Sequence, residues 1–323
     1  MLLRSRGLVV LLLVALGGCA SQRAFVSEAP SMQARAAPVE LADTPFFPQE
    51  ALQCGPAALA TVLGAAGVPA TPEQLAAEVY TPGLGGSLQL ELVAAARSRG
   101  LVPYVLPPEP DAMLAELLAG RPVLVLQNLR LRSLPAWHYA VVIGADPRVE
   151  QLVLRSGTEE RLVLPSGKFL RTWDLADRWA LVLLQPGELP ASPDRERYFE
   201  AVAGLEAAGR HAAAARAWET ALQVWPDDDL GLFGFATASQ LAGQLPAAYD
   251  AYADLIRRRP GHAAALNNLA HLLAARGCPR AARVLAERAL DAAPAGSVMA
   301  GVAEGTLRQL RADSDEQRIC ELP

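Results

Sequence analysis

Apolar positions along the chain fall into three rhythms. An unbroken apolar run from Leu8 to Leu16 follows Arg4 and Arg6 and ends at Gly17 and Gly18. It is too short to span a bilayer and has the three-part layout of a secretion signal. Residues 20–44 are small, polar and punctuated by proline, with no period, as expected of a tether. From Pro45 to about Gln185 helical and strand patterns alternate. The spacing predicts helices over 54–66, 71–79, 87–99 and 111–119, with Thr71-Pro72 as N-cap and first-turn pair. It predicts strands over 102–106, 122–127, 138–143, 151–154, 160–164 and 179–184, where aliphatic and β-branched residues run between turn formers. Helices come first and most strands follow, which favours an α+β domain with an antiparallel sheet. "QPGELPASPD" then breaks the pattern, giving a linker over 186–194.

The third rhythm is longer. Pro226, Pro260 and Pro294 fall 34 residues apart, and small or apolar residues keep the same interval: Ala214, Ala248 and Ala282, then Ala221, Leu255 and Ala289. A further column holds Trp218, Tyr252 and Ala286. This is the signature of tetratricopeptide repeats, each unit being two antiparallel helices closed by a proline. Three units over 195–310 are expected, with a tail over 311–323 and with the leading Trp position degenerate (Tyr198, Leu232, Leu266). Three is about the minimum that buries a shared core, so the array is expected to lean on the domain before it.

Composition adds less. A hydrophobic fraction of 52% over 323 residues indicates globular domains, about two of them. The formal charge of −5 comes without a basic patch, so no nucleic-acid partner is expected. Arginine replaces lysine everywhere except at Lys168, and alanine is abundant enough that alanine content alone argues little for a helix. No metal site or cofactor is expected.

"LGGC", Leu16 to Cys19, resembles the lipobox of bacterial lipoproteins. The resemblance implies a signal peptide over 1–18, lipidation of Cys19, a tether over 19–44 and a periplasmic chain. Ala20 and Ser21 after the cysteine imply the outer membrane, with membrane contact through the lipid only. In such an oxidising compartment Cys278 and Cys320 can pair, which leaves Cys54 as a spare thiol.

Cys54 stands in "PQEALQCGPAALATVL". Pro56 is comfortable only in the first turn of a helix, so Cys54 is expected at a helix N-terminus, where unpaired amides and the helix dipole favour a thiolate. Gly55 would allow close approach to the backbone. A nucleophile needs a base, and of His138, His211, His262 and His271 only His138 lies outside the repeats, at the start of "HYAVVIG".

"PQEALQCGPAALATVL", followed 84 residues after the cysteine by "HYAVVIG", resembles the papain-like cysteine peptidases of the bacteriocin-processing type, the double-glycine leader peptidases. The resemblance covers 45–185. It implies a papain-like peptidase domain with Cys54 as nucleophile, His138 as base and the Gln49 side chain in the oxyanion site, acting on a peptide or protein substrate. Gln49 is five residues before Cys54, where the transporter-linked enzymes usually have six. The family's aspartate, on the strand after the histidine, is absent; "LVLRSG" offers Arg155 and Ser156, and Ser156 is the candidate to orient the imidazole. Asp146-Pro147 reads as turn chemistry.

Gly85-Gly86 resembles a substrate cleavage site for such enzymes, but loop glycines before Ser87 as a helix N-cap explain it. Trp137 is expected either to line a cleft or to join the core. The repeats are expected to hold a protein partner or substrate. Besides a lipid-anchored peptidase, two readings stay open: a scaffold that keeps the peptidase fold without turnover, and an acyl transferase using the same thiol and imidazole.

Overall fold

The computed structural model describes residues 37–48 and 53–312. Cys19, Gln49 and Cys320, and with them the signal, the lipid site and the oxyanion side chain, lie outside the described residues.

Two cores hang on one antiparallel sheet. Strands β1 (Val39–Glu40), β2 (Val102–Val105), β3 (Val123–Asn128), β4 (Trp137–Asp146), β5 (Gln151–Ser156), β6 (Glu159–Pro165) and β7 (Ala180–Leu184) run in the order β2-β7-β3-β4-β5-β6, with β1 also on β4. All pairings are antiparallel, as the helices-then-strands order predicts. Side chains alternate between the two faces. Leu124, Leu126, Tyr139, Val141 and Ile143 enter a core beneath helices α1 (Cys54–Ala65), α2 (Pro72–Val79) and α3 (Gln89–Ser98). Val123, Val125, Ala140 and Val142 enter a second core under α4 (Pro110–Leu118) and α5 (Ser166–Asp174). Burial on both faces is why β3, β4 and β7 read as continuous apolar runs rather than alternating ones.

Helix α1 is apolar around most of its circumference, from Gly55 to Leu63, and is buried accordingly. It packs on β4, β3, β5 and β7 and carries α2 on its outer side. Helix α2 starts as expected: Thr71 accepts from the Gln74 amide, the Gln74 side chain accepts from the Thr71 amide, and Pro72 fills the first turn. The start of α3 differs. Ser87 does not cap it; the helix begins two residues later, and the Glu91 carboxylate takes the Leu88 amide at 2.9 Å. Helix α4 likewise begins at Pro110, one residue before the expected start.

The linker expected over 186–194 is tied down. The buried Glu116 carboxylate accepts from the Ala191 amide at 2.7 Å and from Arg121 Nε at 2.5 Å, and the Asp194 amide donates to the Tyr104 hydroxyl at 3.2 Å. Beyond it run three helix pairs: α6 (Arg195–Ala207) with α7 (His211–Val224), α8 (Asp229–Leu241) with α9 (Leu245–Arg258), and α10 (Ala263–Ala275) with α11 (Pro279–Ala292). Helix α12 (Val298–Ala312) closes the array. Each pair turns on a left-handed glycine, Gly209, Gly243 and Gly277, at φ 69°, 78° and 75°. Trp218 and Tyr252 are buried, as expected of the large-residue column. The array does lean on the first domain: Tyr198, Phe199, Val202 and Trp218 share one continuous core with Val102, Tyr104, Phe169 and Trp173. Among the described residues no helix is long and apolar enough to cross a membrane.

Candidate active site

Cys54 is the first residue of α1, with Gln53 as N-cap and Pro56 in the first turn, where the residue types place it. It is half-buried and a free thiol, whereas Cys278 is held in a disulfide. The first turn carries no acidic side chain, so the positive end of α1 is not offset locally.

His138 is the second residue of β4, half-buried. Its Nε2 lies 2.8 Å from the Ser156 hydroxyl oxygen. The sheet register accounts for this. Val141 pairs with Arg155, so one step on Ser156 stands opposite Ala140, and His138 is the diagonal neighbour on the same face. Burial pushes the imidazole below its ordinary range, so it is neutral at pH 7. In the tautomer that donates from Nε2 to Ser156, Nδ1 keeps its lone pair and is the basic atom.

The ring's hydrogen-bond partner is Ser156, and no hydrogen bond joins thiol and imidazole. Alternation gives Tyr139, not His138, the parity that faces α1. A Cβ built on Gly55 would lie 3.6 Å from the Tyr139 ring. The neighbour of the nucleophile thus packs near the neighbour of the base, and the two groups share one end of the domain. Burial raises the Tyr139 hydroxyl far above its ordinary range, with the Cys54 thiol and Glu91 adding to the shift, so it remains a donor. It donates to the Ser87 carbonyl at 3.1 Å.

The remaining candidates separate clearly. Asp146 belongs to the far end of β4, in the turn to β5, where its carboxylate accepts from the Arg148 amide and guanidinium at 3.0, 3.0 and 2.9 Å. It is turn chemistry, as its position eight residues beyond His138 implies. Gly85 adopts φ 63° in a loop closed by a Thr81–Gly86 bridge, which accounts for the double glycine as loop structure. Trp137 is 56% exposed beside His138, so of its two expectations the core one fails.

Three residues take roles that their sequence positions do not show. Arg155, on the opposite face from Ser156, is buried and donates to the carbonyls of Ala42, Thr44 and Glu160, fixing the segment that leads towards α1 on β5. Gln127 pairs with His138 across β3 and β4 and donates to Thr172 Oγ1 at 2.7 Å. Ser87 lies against Gly55. A buried guanidinium is legible as unusual in an apolar strand; the other two have no local signal. No group of three or more metal-binding side chains occurs among the described residues.

No family model matches the chain. A protein of Pseudomonas aeruginosa assigned as a biofilm formation methyltransferase, WspC, is 38% identical over 110 residues, which is 34% of this chain and 26% of that protein. The chain thus spans about a quarter of the length of that curated relative. Among solved structures, a protein of Bacillus anthracis assigned as a C39-like peptidase is similar over 46% of this chain and 98% of its own, at 19% identity and a TM-score of 0.42. The peptidase domain of Streptococcus ComA, a bifunctional ABC transporter involved in quorum sensing, is similar over 44% and 98% of the two chains, at 22% identity and a TM-score of 0.36. The Sgt2 tetratricopeptide-repeat domain of Aspergillus fumigatus is similar over 41% and 90%, at 18% identity and a TM-score of 0.34.

Proposed function

We propose that residues 45–185 are a cysteine peptidase that hydrolyses peptide bonds, with Cys54 as nucleophile and His138 as base. The observation that carries this reading is the neutral His138 ring, held through Nε2 by Ser156 at the end of the domain that also holds a free thiol at a helix N-terminus. His138 Nδ1 takes the thiol proton, and the sulfur attacks the scissile carbonyl. The oxyanion forms at the N-terminus of α1, facing unpaired amides, with the Gln49 side chain as a second donor. The imidazolium returns its proton to the leaving amine. Water, deprotonated by the same ring, then cleaves the thioester.

The helical array recruits a protein substrate or partner. Lipid on Cys19 anchors the chain to the periplasmic face of the outer membrane. Incubating the full chain and its Cys54→Ala variant with a peptide library, followed by product mass spectrometry, tests the peptidase reading; cleavage that Cys54→Ala abolishes supports it. An added amine that appears in the products would instead indicate acyl transfer.

A second reading, a scaffold that retains the fold without turnover, is favoured by two features: the ring is steered by a hydroxyl rather than a carboxylate, and the thiol is unbonded to it. Turnover dependent on Cys54 decides between them.

A further inference from the structure

We propose that Ser87 is a positioning residue that sets the separation between the Cys54 thiol and the His138 imidazole; the inference rests on the peptidase reading above. Ser87 touches both halves of the site. A Cβ built on Gly55 would stand 2.5 Å from Ser87 Oγ and 2.7 Å from Ser87 Cβ, closer than such atoms can coexist. The Ser87 carbonyl accepts the Tyr139 hydroxyl at 3.1 Å. Gly55 directly follows Cys54, and Tyr139 directly follows His138. One residue therefore spaces the helix that carries the nucleophile from the strand that carries the base.

The loop that presents Ser87 is itself fixed. The Thr81 amide donates to the Gly86 carbonyl at 2.8 Å. The Glu91 carboxylate accepts from Thr81 Oγ1 at 2.6 Å and from the Leu88 amide at 2.9 Å. Glu91 thus takes the amide at the start of α3, and the Ser87 hydroxyl oxygen is buried with no hydrogen-bond partner among the described residues. Folded chains seldom leave a polar atom in that state. Its position against Gly55 fits a packing role at this junction, and the glycine after the nucleophile is then required by Ser87 rather than by backbone conformation, because Gly55 lies within the ordinary helix α1.

The test compares Gly55→Ala, Ser87→Gly, their combination and Tyr139→Phe in the full chain, reading kcat and KM on a cleaved peptide beside thermal unfolding. Gly55→Ala is expected to lower kcat about 100-fold with KM within about twofold, the signature of misplaced reacting groups. Adding Ser87→Gly, which removes the clash, is expected to recover about tenfold of that loss. Tyr139→Phe is expected to lower kcat about tenfold at unchanged KM, by releasing the Ser87 carbonyl. A folded double variant no faster than Gly55→Ala, or a Tyr139→Phe enzyme at the wild-type rate, overturns the proposal. If Gly55→Ala does not fold, recovery of folding in the double variant supports the contact and failure to recover overturns it. Failure of the peptidase reading shows separately, as wild-type turnover that survives Cys54→Ala or as no wild-type turnover; in the latter case thermal unfolding decides, the double variant regaining the stability lost in Gly55→Ala if the contact is real and regaining none if it is not.

Discussion

His138 Nε2 and Ser156 Oγ, on neighbouring strands and 18 residues apart in sequence, meet at 2.8 Å as a diagonal cross-strand pair. The serine stands in the stretch where the resemblance to double-glycine peptidases places an aspartate. A neutral hydroxyl can hold the ring but contributes little charge stabilisation to an imidazolium.

Ser156→Ala is therefore expected to lower kcat/KM by about fivefold to tenfold, the loss of one neutral hydrogen bond. Ser156→Asp is expected to raise the rate above wild type and to move the acid limb of the pH profile upward, because a carboxylate favours the protonated ring. Steady-state kinetics between pH 5 and pH 8 on the three proteins checks both directions.

The depressed affinity of His138 for protons also links stability to pH. The unfolded chain binds a proton on this ring near pH 6.5, while the folded chain does so only at lower pH. Between those two values the unfolded state holds more protons, so stability falls as pH drops through about 6.5 and stops falling, for this group, below the folded value. Urea unfolding of wild type and His138→Gln at pH 7 and pH 5 is expected to show a smaller acid loss in the variant.

Two helical glycines are expected to respond with opposite signs. A Cβ on Gly234 would sit 2.5 Å from the buried Trp218 ring, so Gly234→Ala is expected to destabilise the chain by about 1–3 kcal/mol through overpacking. Gly301, exposed in α12, has open space around it, and Gly301→Ala is expected to stabilise by about 0.5–1 kcal/mol. Thermal unfolding of the two variants checks the pair.

Much of the fold is legible because its signals are local or strictly periodic. The prolines at 226, 260 and 294 mark the repeats, and Gly209, Gly243 and Gly277 keep the same 34-residue interval, a further column that the left-handed turns require. Strands buried on both faces are legible as apolar runs. Helix α5 is missed because Gly167 and Lys168 dilute its start, although Phe169, Leu170 and Trp173 do mark one buried face. Strand β1 spans two residues and exists only through pairing with Ala145 and Gly144, which no local pattern shows.

At the site, Cys54 and His138 stand out through chemistry, as a spare thiol and a spare imidazole. Ser156 is a candidate because it stands where the resemblance places an aspartate, and only the β4–β5 register reveals how it reaches the ring. The contact between Ser87 and Tyr139 is invisible in sequence because it joins residues 52 apart. Arg155 is conspicuous as a charge in an apolar strand, yet its acceptors, the carbonyls of Ala42 and Thr44, are more than 100 residues away.

A peptidase of the proposed kind requires Cys54 and His138 to act together. The most direct measurement is the rate of iodoacetamide alkylation of the Cys54-containing peptide, read by mass spectrometry at pH 6.5, in wild type and His138→Ala. Thiolate character supplied by the imidazole makes wild type at least about tenfold faster than the variant. Equal rates in the two folded proteins would contradict the account.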